Sequence, residues 1–206
     1  MAIPRVIPVL LLKNKGLVKS IQFKDHRYVG DPINAVKIFN EKEVDELMLL
    51  DIEASRLGKP PRIDVLEHIA SECFMPLGYG GGVNSIKQIR ELIQSGIEKI
   101  SINTAALEKP TFINEACDQF GSSTIVGSID VKKNIFGKYQ VFSHKTSKSL
   151  AIDPFSFAES LQKAGVGELF INMVDKDGTM EGYDLDFFKK LASSVDIPII
   201  ACGGCG

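Results

Sequence analysis

Short apolar, β-branched runs recur along the chain, each followed by a turn and then by a segment of helical periodicity. The runs are Arg5–Leu12, Glu46–Ile52, Met75–Gly80, Glu98–Asn103, Thr124–Asp130, Glu168–Met173 and Ile197–Cys202. They alternate little between polar and apolar residues, as strands of a parallel sheet buried on both faces do. The amphipathic segments between them are Asp31–Lys42, Pro61–Glu72, Ser85–Gln94, Pro110–Phe120, Pro154–Ala164 and Leu185–Ser193. Several open on a cap or an N1 proline, as at Asp31-Pro32, Asn84-Ser85 and Asp153-Pro154. Several close near a glycine: Gly96, Gly121 and Gly165. The alternation predicts an α/β fold with a parallel sheet. No Pro/Ser-rich or low-complexity linker interrupts it, so residues 1–206 read as one domain.

The chain also resembles itself at a long offset. Glu46-Leu47-Met48-Leu49-Leu50 is similar to Glu168-Leu169-Phe170-Ile171-Asn172, and Gly78-Tyr79-Gly80-Gly81-Gly82 to Ala201-Cys202-Gly203-Gly204-Cys205. Ile7–Lys13 corresponds in position to Val126–Lys132. An offset of roughly 120 residues is too long for a solenoid and describes two half-domains. Two halves of four strand–helix units make a (β/α)₈ barrel, typically of ~250 residues. Seven predicted strands with the last ending beside Gly206 lead to the expectation that a C-terminal part, strand 8, is missing from this sequence, because an open barrel leaves two unpaired edges. An open doubly wound sheet is the alternative, without a Rossmann fingerprint to support it.

Composition narrows the function only by exclusion. The 206 residues carry 24 basic and 26 acidic side chains, a formal charge of −2. That balance lacks the positive field of a nucleic-acid or membrane-surface binder. Four cysteines are too few for a disulfide scaffold. The apolar run Val6–Leu12 falls far short of the ~20 residues that span a bilayer, and it lacks the features of a signal peptide. A soluble, cytoplasmic protein is expected.

In a barrel, chemistry sits at the C-terminal ends of the strands. Those ends carry Gly80-Gly81-Gly82, Asn103-Thr104, Asp175-Lys176-Asp177-Gly178-Thr179 and Gly203-Gly204-Cys205-Gly206. Glycines there let backbone N–H groups approach an anion, or they simply make tight turns. One glycine-rich edge in each half points to two phosphate sites and an elongated, diphosphorylated substrate. Asp130, ending the fifth run, is a candidate general acid/base, with a helix cap or a loop salt bridge as the alternative. Its repeat partner is Leu11, so a mechanism needing two opposed carboxylates cannot run as such. Asp51 either touches substrate or braces the mouth. Arg5, Glu46, Lys99 and Glu168 enter the strands from the opposite end and on spacing alone read as solvated charges. Cys202-Gly203-Gly204-Cys205 has no second CxxC to complete a zinc site. His26, His68 and His144 have no ligand spacing, Phe23 and Phe39 read as core, and neither a metal nor a cofactor is expected.

These residues resemble, over the whole chain, the cyclase subunit family of imidazole glycerol phosphate synthase. The resemblance is carried by the segment ending at Lys19, by Gly30-Asp31-Pro32, Leu50-Asp51-Ile52 and Gly80-Gly81-Gly82, and by Ser101-Ile102-Asn103-Thr104-Ala105-Ala106. Asp130, Asp177-Gly178-Thr179, Gly182-Tyr183-Asp184 and the final Gly-Gly-x-Gly complete it. It implies a (β/α)₈ barrel and phosphate contacts at Lys19, Gly82, Asn103, Thr104, Asp177, Gly178 and Gly204. It also implies a glutaminase subunit docked at the N-terminal face as a heterodimer, and an ammonia gate built from Arg5, Glu46, Lys99 and Glu168, which reverses the solvated reading of those charges. The departure is Leu11, where the family has the first of two catalytic aspartates. The segments Pro8–Lys13, Tyr28–Val36 and Phe39–Leu47 more closely resemble a paralogous branch of bacterial surface-polysaccharide pathways. That resemblance implies ammonia delivery for amidine formation on a nucleotide sugar. The alternatives are a genuine cyclase of histidine biosynthesis and a non-catalytic ammonia channel that activates the glutaminase.

Overall fold

The computed structural model describes residues 4–205. Contacts divide the chain into two compact units. The first holds the chain up to Lys19 together with Arg27–Ile100; the second holds Ser20–His26 and the residues from Ser101 on.

The chain opens with β1 (Val9–Lys13), β2 (Gly16–Ile21) and β3 (Lys24–Gly30), of which Ser20–His26 belong to the second unit, followed in the first by α1 (Pro32–Glu41) and β4 (Leu47–Asp51). Next come the short α2 (Ala54–Leu57), α3 (Ile63–Ser71), β5 (Leu77–Gly80), α4 (Ile86–Gln94) and β6 (Lys99–Ile102), in which the chain passes to the second unit. β1, β4 and β5 are parallel, with Leu11 level with Leu50 and Leu50 level with Gly80. Leu47, Met48, Leu49 and Leu77 on these strands are buried together with Leu66, Ile69, Ile89 and Leu92 of the covering helices. Each such side chain contributes about 1.5–3 kcal/mol of apolar burial. The helix starts follow the sequence signals. Asp31 Oδ1 accepts from the Ile33 and Asn34 N–H groups ahead of Pro32, and Ser85 Oγ accepts from the Gln88 N–H.

The second unit continues with α5 (Thr104–Glu108), α6 (Pro110–Phe120), β7 (Ile125–Lys133), β8 (Tyr139–Ser143) and β9 (Lys148–Ser149). It ends with α7 (Pro154–Lys163), β10 (Glu168–Met173), α8 (Leu185–Ala192) and β11 (Ile199–Cys202). β7, β10 and β11 are parallel, with Asp130 level with Asn172 and Asn172 level with Cys202. Tyr139, Phe155 and Phe187 pack ring on ring beneath α7 and α8, with Phe187 4.9 Å from Tyr139 and 5.0 Å from Phe155.

All seven predicted strands are present, within an α/β fold. The first is shorter than expected, because Arg5–Pro8 lie outside β1. Pro8 has no N–H for a ladder and contributes only its carbonyl, which accepts from Met48 N at 2.9 Å. The antiparallel hairpins β2–β3 and β7–β8 were not read from the sequence. β3 carries exposed charges such as Lys24, Asp25 and Arg27, and β8 spans only the five residues Tyr139–Ser143, so neither offers a long apolar run. Phe23, expected in the core, instead lies half-exposed in the β2–β3 turn, edge-on to Phe142 and His144. No helix among the described residues is long and apolar enough to cross a membrane.

Candidate functional site

Asp130 lies on β7 with only 8% of its surface exposed. The Asn103 Nδ2, from the residue just before α5, donates to its Oδ2 at 3.2 Å. Burial pushes the Asp130 carboxyl up to about 7, with the nearby negative charge of Asp177 adding to the rise and the Asn103 hydrogen bond opposing it. A carboxyl that gains and loses its proton near neutrality is suited to general acid/base work. Cys202, two places along the same row of strands, has its thiol pushed up to about 12, chiefly by burial and then by Asp177. It stays a thiol and is no nucleophile. Among the described residues no three His, Cys, Asp or Glu side chains gather as a metal site.

The glycines expected to hold phosphate are tied into close backbone approaches. Gly178 has φ +68°, and a Cβ there would lie 2.3 Å from the Ser20 carbonyl. Gly204 has φ +101°, and a Cβ would lie 2.3 Å from the Gly182 carbonyl, to which it is linked by a hydrogen bond from Gly182 N to Gly204 O at 2.7 Å. In the first unit, Gly82 (φ +69°) donates its N–H to Ser55 Oγ at 3.1 Å. Thr104 is the first residue of α5, and Lys19 is exposed on β2. Asp177, expected among the phosphate contacts, uses one carboxylate oxygen to brace the β2–β3 turn. Oδ2 accepts from Ser20 Oγ (2.8 Å) and Phe23 N (3.2 Å), clasping the β2–β3 turn. A carboxylate has no hydrogen to give a phosphate, so bracing suits it better. Gly206 of the last glycine motif lies outside the described residues. Gly204→Ala is expected to lower the melting temperature by several degrees, since both its φ and the Gly182 carbonyl oppose a side chain. A thermal melt checks this.

Arg5, Glu46 and Lys99 meet at the N-terminal ends of the first unit's strands. Glu46 Oε2 accepts from Arg5 Nη1 at 3.2 Å and from Lys99 Nζ at 2.9 Å. Glu46 is buried, and its Oε1 has no hydrogen-bond partner among the described residues. Glu168 opens β10 in the second unit, level with Val126 of β7.

Leu11 sits half-buried on β1 in a row with Leu50 and Gly80. In the second unit the row is Asp130, Asn172 and Cys202, each about 120 residues further along the chain. A family model described as "Histidine biosynthesis protein" matches residues 5–206. The chain belongs to this family. Curated relatives agree. "Putative imidazole glycerol phosphate synthase subunit hisF2" of Pseudomonas aeruginosa is 50% identical over 202 residues, 98% of this chain and 80% of the relative. "Putative imidazole glycerol phosphate synthase subunit hisF3" of Vibrio vulnificus is 48% identical over 203 residues, 98% of this chain and 78% of the relative. A subunit HisF of Leptospira interrogans with the same "putative" description is 45% identical over 204 residues, 98% of this chain and 80% of the relative.

Two further features bear on the site of this family member. Asp51 braces. Its Oδ1 accepts from the Glu53 and Ala54 N–H groups at the start of α2, and its Oδ2 accepts from Arg62 at 3.3 Å. Asn172 was missed from the sequence. Only 5% of it is exposed, and its Oδ1 has no hydrogen-bond partner among the described residues. The one signal in the sequence was position, since an amide stands next to last in the Glu168–Met173 run while Asp130 ends the preceding one.

Proposed function

We propose that this member of the histidine biosynthesis protein family is a (β/α)₈ barrel of two half-barrel repeats that takes ammonia from a glutaminase partner. We propose further that it serves amidine formation on a surface-polysaccharide nucleotide sugar. The observation that carries the specialised reading is Leu11. It stands in the first unit's row where Asp130 stands in the second's, and a leucine transfers no proton. The equivalent row positions support two related halves. Asp130 acts as the single general acid/base. Asn103 positions it, while Lys19, Gly82, Thr104, Gly178 and Gly204 surround the phosphates. The glutaminase docks at the N-terminal face, where Arg5, Glu46, Lys99 and Glu168 gate ammonia entry.

The test of ammonia delivery is the ratio of product formed from glutamine to product formed from added ammonium salt. Glu46→Gln and Lys99→Met, in the complex with the glutaminase, are expected to lower that ratio at least tenfold. Glu46 holds both cations through one buried oxygen, and removing one member of such a group disrupts the rest. An unchanged ratio in both variants sinks the gate.

The second reading, a genuine cyclase of histidine biosynthesis, is favoured by the names of the relatives. Complementation of a cyclase-deficient histidine auxotroph would establish it, and failure to complement would count against it.

A further inference from the structure

Two neighbouring segments of the second unit carry opposite charge, and each exposes large apolar side chains. Residues 131–152, from the end of β7 through β8 and β9, hold five lysines and no Asp or Glu, in a chain whose formal charge is −2. Residues 175–186, between β10 and the first turn of α8, hold five acids and one lysine. At the tip of the β7–β8 hairpin, Ile135 and Phe136 are 93% and 86% exposed. In the acidic loop, Met180 and Leu185 are 75% and 63% exposed, with Tyr183 beside them.

The turns themselves do not call for these side chains. Asn134 Oδ1 accepts from the Phe136 and Lys138 N–H groups at 2.9 and 3.0 Å, and the Gly137 N–H donates to the Asn134 carbonyl at 2.9 Å. Asn134 and Gly137 (φ +75°) build the turn, so its two central positions need nothing large or apolar. Met180 is held at φ +58°, a conformation that a methionine rarely adopts. Around it, the Thr179 N–H donates to the Lys176 carbonyl and the Gly182 N–H to the Gly204 carbonyl. Both tips are ordered in advance, which reduces the entropy lost on docking.

Their placement selects the occupant. β7 and β10 are adjacent and parallel, and the hairpin and the loop leave the C-terminal ends of these strands. Asp184 Oδ2 accepts from Lys133 Nζ at 2.8 Å and from the Tyr139 hydroxyl at 2.9 Å, which ties the two stems together. A basic and an acidic patch therefore stand side by side at one end of one sheet. A two-fold rotation lays the hairpin of one copy on the loop of another and the reverse, so the contact closes as a dimer. Lys132, Lys138 and Asp186 have no ion-pair partner among the described residues and keep their charge for such a contact. The five apolar side chains expose on the order of 700 Å² per copy, close to the ~800 Å² that each partner brings to a standard interface. An anionic lipid surface fits less well, because it repels the acidic loop beside the hairpin.

We infer that the β7–β8 tip and the 175–186 loop form a two-fold interface between two copies of this chain. Ile135 and Phe136 of each copy pack on Met180, Tyr183 and Leu185 of the other, with lysines and carboxylates around them. The contact lies at the opposite end of β10 from Glu168, so it leaves the proposed glutaminase face open. It does not depend on which reaction the protein performs.

The test is sedimentation of the full chain across the micromolar range. A reversible monomer–dimer equilibrium is expected. Raising sodium chloride from about 0.1 M to about 1 M shortens the Debye length from about 10 to 3 Å and should weaken the dimer. Ile135→Ser with Phe136→Ser changes only exposed side chains and should weaken it at least tenfold. Two charge-reversed chains give the sharpest result. Lys132→Glu with Lys138→Glu makes both patches acidic, and Glu181→Lys with Asp186→Lys turns the loop basic beside the basic hairpin. Each chain should be monomeric alone, and an equal mixture should dimerise, because every contact across the two-fold axis is then between opposite charges. If a reversed chain does not fold, the serine variant decides. A monomer at every concentration overturns the inference, as does a dimer that the serine substitutions leave unchanged. Two folded reversed chains that stay apart on mixing also overturn it. A monomer that sediments with phosphatidylglycerol vesicles, and loses this with the serine substitutions, assigns the tip to a lipid surface instead.

Discussion

Asp130→Asn is expected to make the protein more stable at pH 8 while lowering its turnover 10²–10⁴-fold, the usual contribution of a general acid/base. The two effects have one origin. The Asp130 carboxyl is raised from 3.8 to about 7 in the folded protein, mainly because burial penalises its charged form. The folded state therefore binds a proton over a range where the unfolded chain has released it. By linkage, stability falls as pH rises between about 4 and 7 and stays lower above that range. Ionising the buried carboxylate costs on the order of 2–4 kcal/mol. The groups that face it are Asn103, Asp177 and Cys202. Only Asp177 supplies charge near neutrality, and that charge opposes ionisation of Asp130. An asparagine keeps the shape and an acceptor for Asn103, and it removes the ionisation. Thermal melts should show the variant above the natural protein at pH 8 and level with it at pH 4. Equal melting temperatures at both pH values would show that the carboxyl titrates in the fold as it does in the unfolded chain. A residue retained at a cost in stability is a sign of chemistry at that position.

Leu11→Asp is expected to open the histidine-pathway cyclisation. The measurement supplies the family's phosphoribulosyl-formimino substrate and excess ammonium without glutaminase, and tracks loss of substrate absorbance. The natural protein should be nearly silent, and the variant should gain at least 10²-fold, since one general acid/base is worth that much. Leu11 is half-buried between Val18 of β2 and Leu50 of β4. A carboxylate placed there loses some hydration, at a stability cost of about 1–3 kcal/mol, but is smaller than the leucine it replaces. Turnover by the natural protein at about 1 s⁻¹ or faster would make it a histidine-pathway cyclase in which Asp130 needs no partner. A silent variant would show that more than Leu11 separates this site from the cyclase reaction.

Local chemistry is where the amino-acid sequence was sufficient. The parallel strands β1, β4, β5, β6, β7, β10 and β11 were legible because strands buried on both faces must be apolar throughout. The helices α1, α4, α7 and α8 were legible because their starts carry short-range caps at Asp31, Ser85, Asp153 and Asp184. Asp130 stood out as an acid at the end of an apolar run. The family motifs selected Arg5, Glu46 and Lys99, and the tertiary structure brings these three onto one buried carboxylate oxygen. Sequence distance hides the consequences of register and burial. Phe23 reads as core, yet it lies in a turn that Asp177 holds from 154 residues away. Asp177 is picked out by its motif, and only the fold shows that its Oδ2 also clasps Ser20 and Phe23. Asn172 is an ordinary amide until the alignment of β7, β10 and β11 sets it level with Asp130 and Cys202 and leaves Oδ1 buried without a donor. Caps and apolar runs are decided by residues a few positions apart, so one chain segment suffices to find them. Proton affinity and an unmet hydrogen bond depend on which distant groups the fold places nearby and on the water it removes, so only the tertiary structure decided them.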